Sequence, residues 1–215
     1  MDIQDLRRDY QGRPLELTDL KPDPIEQFSL WFQEALASNP ADWFEPNAMT
    51  LATADGSGRV SARVVLLKQV SPRGFTFFTN YDSEKAHQID ANPHAALTFY
   101  WPYIARQVRI EGTVQRTDAA TSDAYFHARP RESQLGAIVS QQSHPIESRE
   151  DLERRVAELE KQYQGREIPR PEYWGGYIVR PDRIEFWQGR PNRLHDRFLY
   201  RLVSNRHWEI ARLAP

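Results

Sequence analysis

Cysteine is absent from the 215-residue chain. Disulfides, thiolate metal centres and a cysteine nucleophile are excluded together. No apolar run approaches the roughly 20 residues of a membrane span, and the opening MDIQDLRRDYQ has no apolar core of the kind a secretory signal carries. The expectation is a soluble, cytoplasmic protein. A basic excess is missing too: 28 Lys and Arg face 30 Asp and Glu, a net charge of -2. That balance argues against a general polyanion binder, which needs surplus cations to displace counterions from a phosphate backbone. Also absent are a glycine-rich phosphate loop, H-E-x-x-H, G-x-S-x-G and any His/Asp cluster at metal-ligand spacing. Hydrolase and triphosphatase chemistry therefore starts without a motif. Lysine is scarce, four residues against 24 arginines. Guanidinium is a rigid donor fork suited to phosphate and carboxylate, although coding bias suffices for the number.

What remains has clear periods. Residues 1–22 are polar, broken by Pro14 and Pro22, and read as a flexible arm ahead of a single domain over 23–215. Asp23 as cap, Pro24 at the first helical position and Glu26 at the third predict a capping box and a helix. Phe28, Trp31, Phe32, Ala35 and Leu36 then share one face of it, and Asn39-Pro40 ends it. The segments 48–54, 59–70 and 75–79 are rich in β-branched and aromatic residues and are separated by DGSG and SPRG, which predicts an antiparallel meander. A short helix over 83–91 and strands 95–101 and 106–115 follow, enough for a small barrel. Residues 118–140 read as helical with a break at Pro130. Leu152, Val156, Leu159 and Tyr163 mark a one-sided helix over 150–163, and strands recur at 177–181, 183–188, 197–203 and 207–213. Strands on both sides of the helical insert predict one α+β domain with a shared sheet.

Four segments could carry chemistry. In RVVLLK, Arg63 and Lys68 have opposite parity, so a regular strand would send them to opposite faces; either the strand is bulged or the two cations serve different ligands. In TNYDSEKAH, Asp82 or Ser83 caps a helix whose free N–H groups and Lys85 suit a phosphate, while Glu84 answers the helix dipole without any ligand. In IEFWQGRPNRLHDRF, Arg193, His195 and Arg197 alternate and would share a face near Trp187. Flanking arginines disfavour an imidazolium there. Tyr125, Arg129 and Ser133 fall at i, i+4 and i+8, which suits either one helix face or a surface salt-bridge row.

The run IEFWQGRPNRLHDR resembles the C-terminal signature of the pyridoxamine 5′-phosphate oxidases. RVVLLK, the FFTN-to-SEKA block, QVRIEG, SQQS, PEYWGGY and the terminal RLAP follow in the family's order, and only the first 20 residues match loosely. The resemblance implies an antiparallel FMN-binding split barrel with peripheral helices, a homodimer with flavin at the subunit interface. It implies oxidation of pyridoxamine or pyridoxine 5′-phosphate to pyridoxal 5′-phosphate, with O2 as acceptor and release of H2O2. By the same resemblance, Arg63, Lys85, Thr79 and Ser143 hold the flavin phosphate. Lys68, Gln107, Gln142, Trp187 and Arg197 lie along the flavin, with the backbone of Val64, Val65, Leu66, Leu67 and Phe78. Lys68, Tyr125, Arg129 and Ser133 take the substrate phosphate; Arg193, His195 and Arg197 are the catalytic group at the substrate ring, and Arg7 and Tyr10 belong to a lid. Glu84 and Phe78 depart from the family pattern, which usually has a second base and a hydroxyl there. Two other readings share many of these residues: a split-barrel flavin oxidase of another planar substrate, as in phenazine pathways, and a non-catalytic flavin or pyridoxal-phosphate carrier.

Overall fold

The computed structural model describes residues 2–5, 9–204 and 207–215. Helix α1 (Pro24–Ala37) forms where the apolar period demands it, with proline in its first turn. Asp23 caps it by accepting the amide of Ile25 rather than through a reciprocal box with Glu26. Its apolar stripe plugs the sheet: Phe28 lies 4.8 Å from Phe75 and 5.0 Å from Phe99, and Trp31 meets Phe186 edge-on at 5.1 Å. Both Phe28 and Trp31 are essentially dry, and each such ring contributes roughly 1.5–3 kcal/mol of transfer free energy.

Among the described residues the sheet has nine strands. β1 (Ala48–Ala54), β2 (Val60–Leu66), β3 (Gln69–Ser71), β4 (Gly74–Asn80), β5 (His94–Trp101), β6 (Arg106–Arg116) and β7 (Trp174–Gln188) run in the spatial order β2-β1-β5-β6-β7-β4-β3. β8 (Asp196–Ser204) and β9 (His207–Leu213) add a hairpin to β7, and the strand pairs are antiparallel throughout. The C-terminal strands thus complete the same sheet. The 59–70 segment is not one strand: it turns between β2 and β3, where Leu67 N–H goes to the Asn47 carbonyl and Lys68 N–H to that of Thr76. Conversely, 177–181 and 183–188 are one long strand, β7, carried past Pro181 by a bulge opposite Glu111 and Gly112. A side chain on Gly112 would stand 2.0 Å from the Arg180 carbonyl oxygen, so the bulge requires glycine at that position.

β7 is where the sheet splits. β6 pairs with both halves of it, while β4 takes residues 174–179 on the other edge and β8 takes residues 183–188. Helix α2 (Glu84–Ala91) connects β4 to β5 and adds Ala86 and Ile89 to the main core, while α3 (Ala119–Ala128), α4 (Arg131–Val139) and α5 (Arg149–Gln162) fall between β6 and β7. A second, smaller core joins α3, α4 and α5 to Trp174 through Phe126, Leu135 and Ile168. Residues 9–22 do not dangle: Leu15 is buried, its N–H donates to Asp196, and the Lys21 carbonyl accepts from Tyr200. Among the described residues no helix is long and apolar enough to cross a membrane.

Candidate active site

A cleft of about 940 Å³ opens between β2, β4, the start of α2 and the α3–α4 corner. Among the described residues four cations line it, Arg63, Lys68, Lys85 and Arg129, against one carboxylate, Glu84. The turn at Leu66 to Lys68 settles the parity problem. Because the strand ends between Arg63 and Lys68, both reach the same cleft. Leu67 does not: its side chain is in the core and its amide is used in the fold, so of the expected 64–67 backbone only Val64, Val65 and Leu66 line the space.

Lys85 carries the first half of the site. It is 7% exposed, and its Nζ donates to Thr79 Oγ1 at 3.1 Å, Ser83 Oγ at 3.0 Å and Gln142 Oε1 at 2.7 Å. Burial, then the neighbouring Arg63 charge, lower its pKa from 10.5 to about 8, with Glu84 opposing. Ser83 is the cap residue of α2, but its hydroxyl is turned to the Asn80 carbonyl, and the Glu84 N–H instead meets Ser143 Oγ at 3.2 Å. Ser143 reaches that point from a left-handed backbone, φ 75°. Arg63 stands on β2 opposite Leu51 and donates to Thr53 and Ser61. Gln88 on α2 accepts from the same two hydroxyls and, at 3.4 Å, from Arg63 itself. Thr53, Ser61 and Gln88 were not legible as site residues: the cross-strand pairing of Thr53 with Ser61 exists only once the register is known.

The second half lies at the α3–α4 corner. Pro130 breaks the helix as its chemistry requires, leaving Arg129 extended at the end of α3 and Ser133 in the first turn of α4. Tyr125, Arg129 and Ser133 nonetheless line one wall, so the break and not a continuous helix face brings them together. Arg129 packs 4.6 Å over the Trp174 ring, and its Nη1 is buried with no hydrogen-bond partner among the described residues. Burial holds its guanidinium below the usual arginine range. Tyr125 stacks on Phe78 at 3.9 Å, which makes an aromatic floor with Trp174.

The remaining expected residues gather elsewhere. Gln107, Trp187 and Arg197 stand side by side on β6, β7 and β8, and none of them lines this cleft. Trp187 lies 4.6 Å from His195 and 5.4 Å from Tyr10, and Tyr10 is 5.6 Å from His195. Arg193 does not alternate along a strand with them; it closes a tight turn over Pro191–Arg193 with φ 62°, and β8 begins only at Asp196. His195 Nδ1 accepts the Arg190 N–H at 3.1 Å, which places the proton of the neutral ring on Nε2. Burial and then the Arg193 charge keep its pKa below 6.5. Arg7 lies outside the described residues.

A split, curled antiparallel sheet with a cationic cleft between β2 and β4 defines a protein of the FMN-binding split-barrel class. The structure superposes with a TM-score of 0.69 on a pyridoxamine 5′-phosphate oxidase-related FMN-binding protein of Nostoc punctiforme, 19% identical, over 91% of this chain and 98% of that one. PhzG of Burkholderia lata, solved with tetrahydrophenazine-1-carboxylic acid, superposes with a TM-score of 0.88 at 29% identity, covering 95% of this chain and 100% of that one. Residues 35–163 match the family model for pyridoxamine 5′-phosphate oxidase, and residues 174–215 match the pyridoxine 5′-phosphate oxidase C-terminal dimerisation region. The pyridoxine/pyridoxamine 5′-phosphate oxidase of Rubrobacter xylanophilus is 58% identical over 100% of this chain and 97% of that protein. The corresponding Cyanothece oxidase is 53% identical over 99% and 98%. The chain belongs to the pyridoxamine 5′-phosphate oxidase family and is an oxidoreductase.

Proposed function

We propose that this chain, as a homodimer in the cytoplasm, oxidises pyridoxamine and pyridoxine 5′-phosphates to pyridoxal 5′-phosphate, using FMN with O2 as final acceptor and releasing H2O2. The observation that carries the reading is the charge of the cleft: among the described residues four cations face one carboxylate, with Lys85 buried and the Nη1 of Arg129 buried without a partner. Buried cations without counter-charges are costly. Two phosphate monoesters in the cleft would offset that cost, one from the cofactor and one from the substrate.

The donor set fits the cofactor. Arg63, Lys85, Thr79 and Ser143 would take its phosphate, with Val64, Val65, Leu66, Phe78 and Gln142 beside it. Bound there, FMN supplies a two-electron acceptor that no side chain provides. Lys68, Tyr125, Arg129 and Ser133 would hold the substrate phosphate, and the unpartnered Nη1 of Arg129 is the donor in want of an acceptor. Tyr10, Gln107, Trp187, Arg193, His195 and Arg197 form a separate group in one chain, and a two-fold partner would bring its copy of that group to the cleft. In that arrangement neutral His195, its Nδ1 held by the Arg190 amide, presents Nε2 to the substrate ring, and Arg193 supplies positive charge beside it. Tyr10 lies edge-on against Trp187 and His195, and the arm that carries it would exclude water there as a lid.

The PhzG likeness keeps a second substrate class in view, a planar ring bearing a carboxylate. The Tyr125, Arg129 and Ser133 wall favours a phosphate ester. Purified protein should be yellow and should convert pyridoxamine 5′-phosphate in air to the aldehyde, followed by its absorbance. A yellow protein that leaves pyridoxamine 5′-phosphate untouched but oxidises tetrahydrophenazine-1-carboxylic acid would overturn this reading in favour of the other.

A further inference from the structure

On β6, β7 and β8 the even-numbered residues Val108, Ile110, Ile184, Phe186 and Phe198 face the core. The odd-numbered ones share the opposite face, because each position is paired across the strands: Arg109 with Glu185, Glu111 with Arg183, and Trp187 with Arg197. Charges alternate along this face. Arg183 meets Glu111 at 3.7 Å, Glu111 meets Arg109 at 2.9 Å, Arg109 meets Glu185 at 3.3 Å, and Glu185 holds Arg197.

The last pair differs from the others. Glu185 is 7% exposed and grips Arg197 with both oxygens, Oε1 to Nε at 2.8 Å and Oε2 to Nη2 at 3.1 Å. The Ala214 carbonyl takes Nη1 at 2.7 Å. A guanidinium has five N–H donors. Among the described residues three are engaged by protein, and two are left for a ligand acceptor beside Trp187, the cross-strand partner of Arg197. The terminal segment after β9 thereby acquires a task in the site, since Ala214 belongs to it.

We infer that Glu185 is a positioning residue, and that it and the Ala214 carbonyl together fix the direction and the net charge of Arg197 where the flavin ring is met. The inference rests on the FMN-oxidase reading above. A carboxylate paired with Arg197 tempers the cation offered to the cofactor; without it, the full positive charge favours the reduced cofactor, which carries more negative charge.

The test uses the full-length, flavin-loaded protein and the isosteric variant Glu185→Gln. The expected result is an FMN dissociation constant raised about tenfold and a midpoint potential of the bound flavin shifted upward. In an Arg197→Gln background, Glu185→Gln should change neither quantity further, because its effect passes through Arg197. A chain ending at Leu213 should also bind FMN more weakly, and it carries the test if Glu185→Gln fails to fold. A flavin-loaded Glu185→Gln protein with wild-type affinity and potential, altered only in melting temperature, would reduce the pair to a structural ion bridge and overturn the inference. So would effects of the two substitutions that simply add. A wild-type chain that takes up no FMN overturns the underlying reading as well, a result distinct from either.

Discussion

Among the residues lining the cleft, Lys85 is the one whose protonation the fold has most strongly altered. Its folded pKa of about 8 lies below the unfolded 10.5, so between those values the unfolded chain binds the extra proton. By linkage, the unliganded fold gains stability as pH rises through that window, and below about 8 it carries the full cost of the buried ammonium. Ligand binding has the opposite sign. A phosphate prefers the protonated lysine, so FMN affinity should hold to about pH 8 and then weaken, by at most about tenfold per pH unit for one linked proton. Titrating FMN binding from pH 7 to 9.5 checks this, and Lys85→Met should flatten the step. At His195 the depressed pKa has two causes, burial first and Arg193 second. Arg193→Met removes only the second, so the imidazole pKa should move up toward 6.5, measurable by proton NMR; an unmoved resonance would show that Arg193 does not act on it. Residue types alone made Lys85, Arg129 and His195 visible as candidates. Gln88 was invisible, because a glutamine in a polar helix has no signal until α2 is laid against β1 and β2 and its amide oxygen is found among Thr53, Ser61 and Arg63.

Elements were legible where period and punctuation agree. α1 and α5 follow from apolar spacing, and α2 from its position after β4. The reading failed where the chain does something a local pattern cannot encode. RVVLLK looks like one strand because its residues suit a strand; the turn after Leu66 is imposed by pairing of the next segment with β4. Pro181 looks like a terminator, yet β7 passes it because the bulge at Gly112 absorbs the unpaired position. Pro130 is the instructive opposite, a break both expected and used. Proline holds the preceding Arg129 extended, φ -75° and ψ 150°, and so aims it at the cleft. Pro130→Ala frees that residue to continue α3. The expected outcome is a Michaelis constant for pyridoxamine 5′-phosphate raised about tenfold, the worth of one charge-assisted hydrogen bond, with FMN affinity unchanged. Steady-state kinetics beside an FMN titration separate the two, and a variant with both at wild-type values would remove the proline from the site's construction.

The molecule as a whole presents the cationic cleft and the Trp187 to Arg197 group as separate surfaces of one chain. Exposed Val60 and Val64 on edge strand β2 leave an apolar margin beside the cleft, of the kind a partner covers. If a complete site takes its cleft from one subunit and His195 from the other, two defective chains can repair each other. Arg129→Met and His195→Asn are each expected to be inactive as homodimers. After subunit exchange in equal amounts, about half the dimers are mixed, and each mixed dimer joins one unaltered cleft to one unaltered His195 while its other site carries both changes. Activity should therefore return to about a quarter of wild type, since half the dimers regain one of two sites. Were each site built within one chain, every site in the mixture would contain one of the two substitutions, and activity would stay at the level of the separate variants. Size-exclusion chromatography before and after mixing confirms that dimers are present to exchange. The outcome decides whether the C-terminal strands serve the sheet of their own chain alone or also the chemistry of the neighbour.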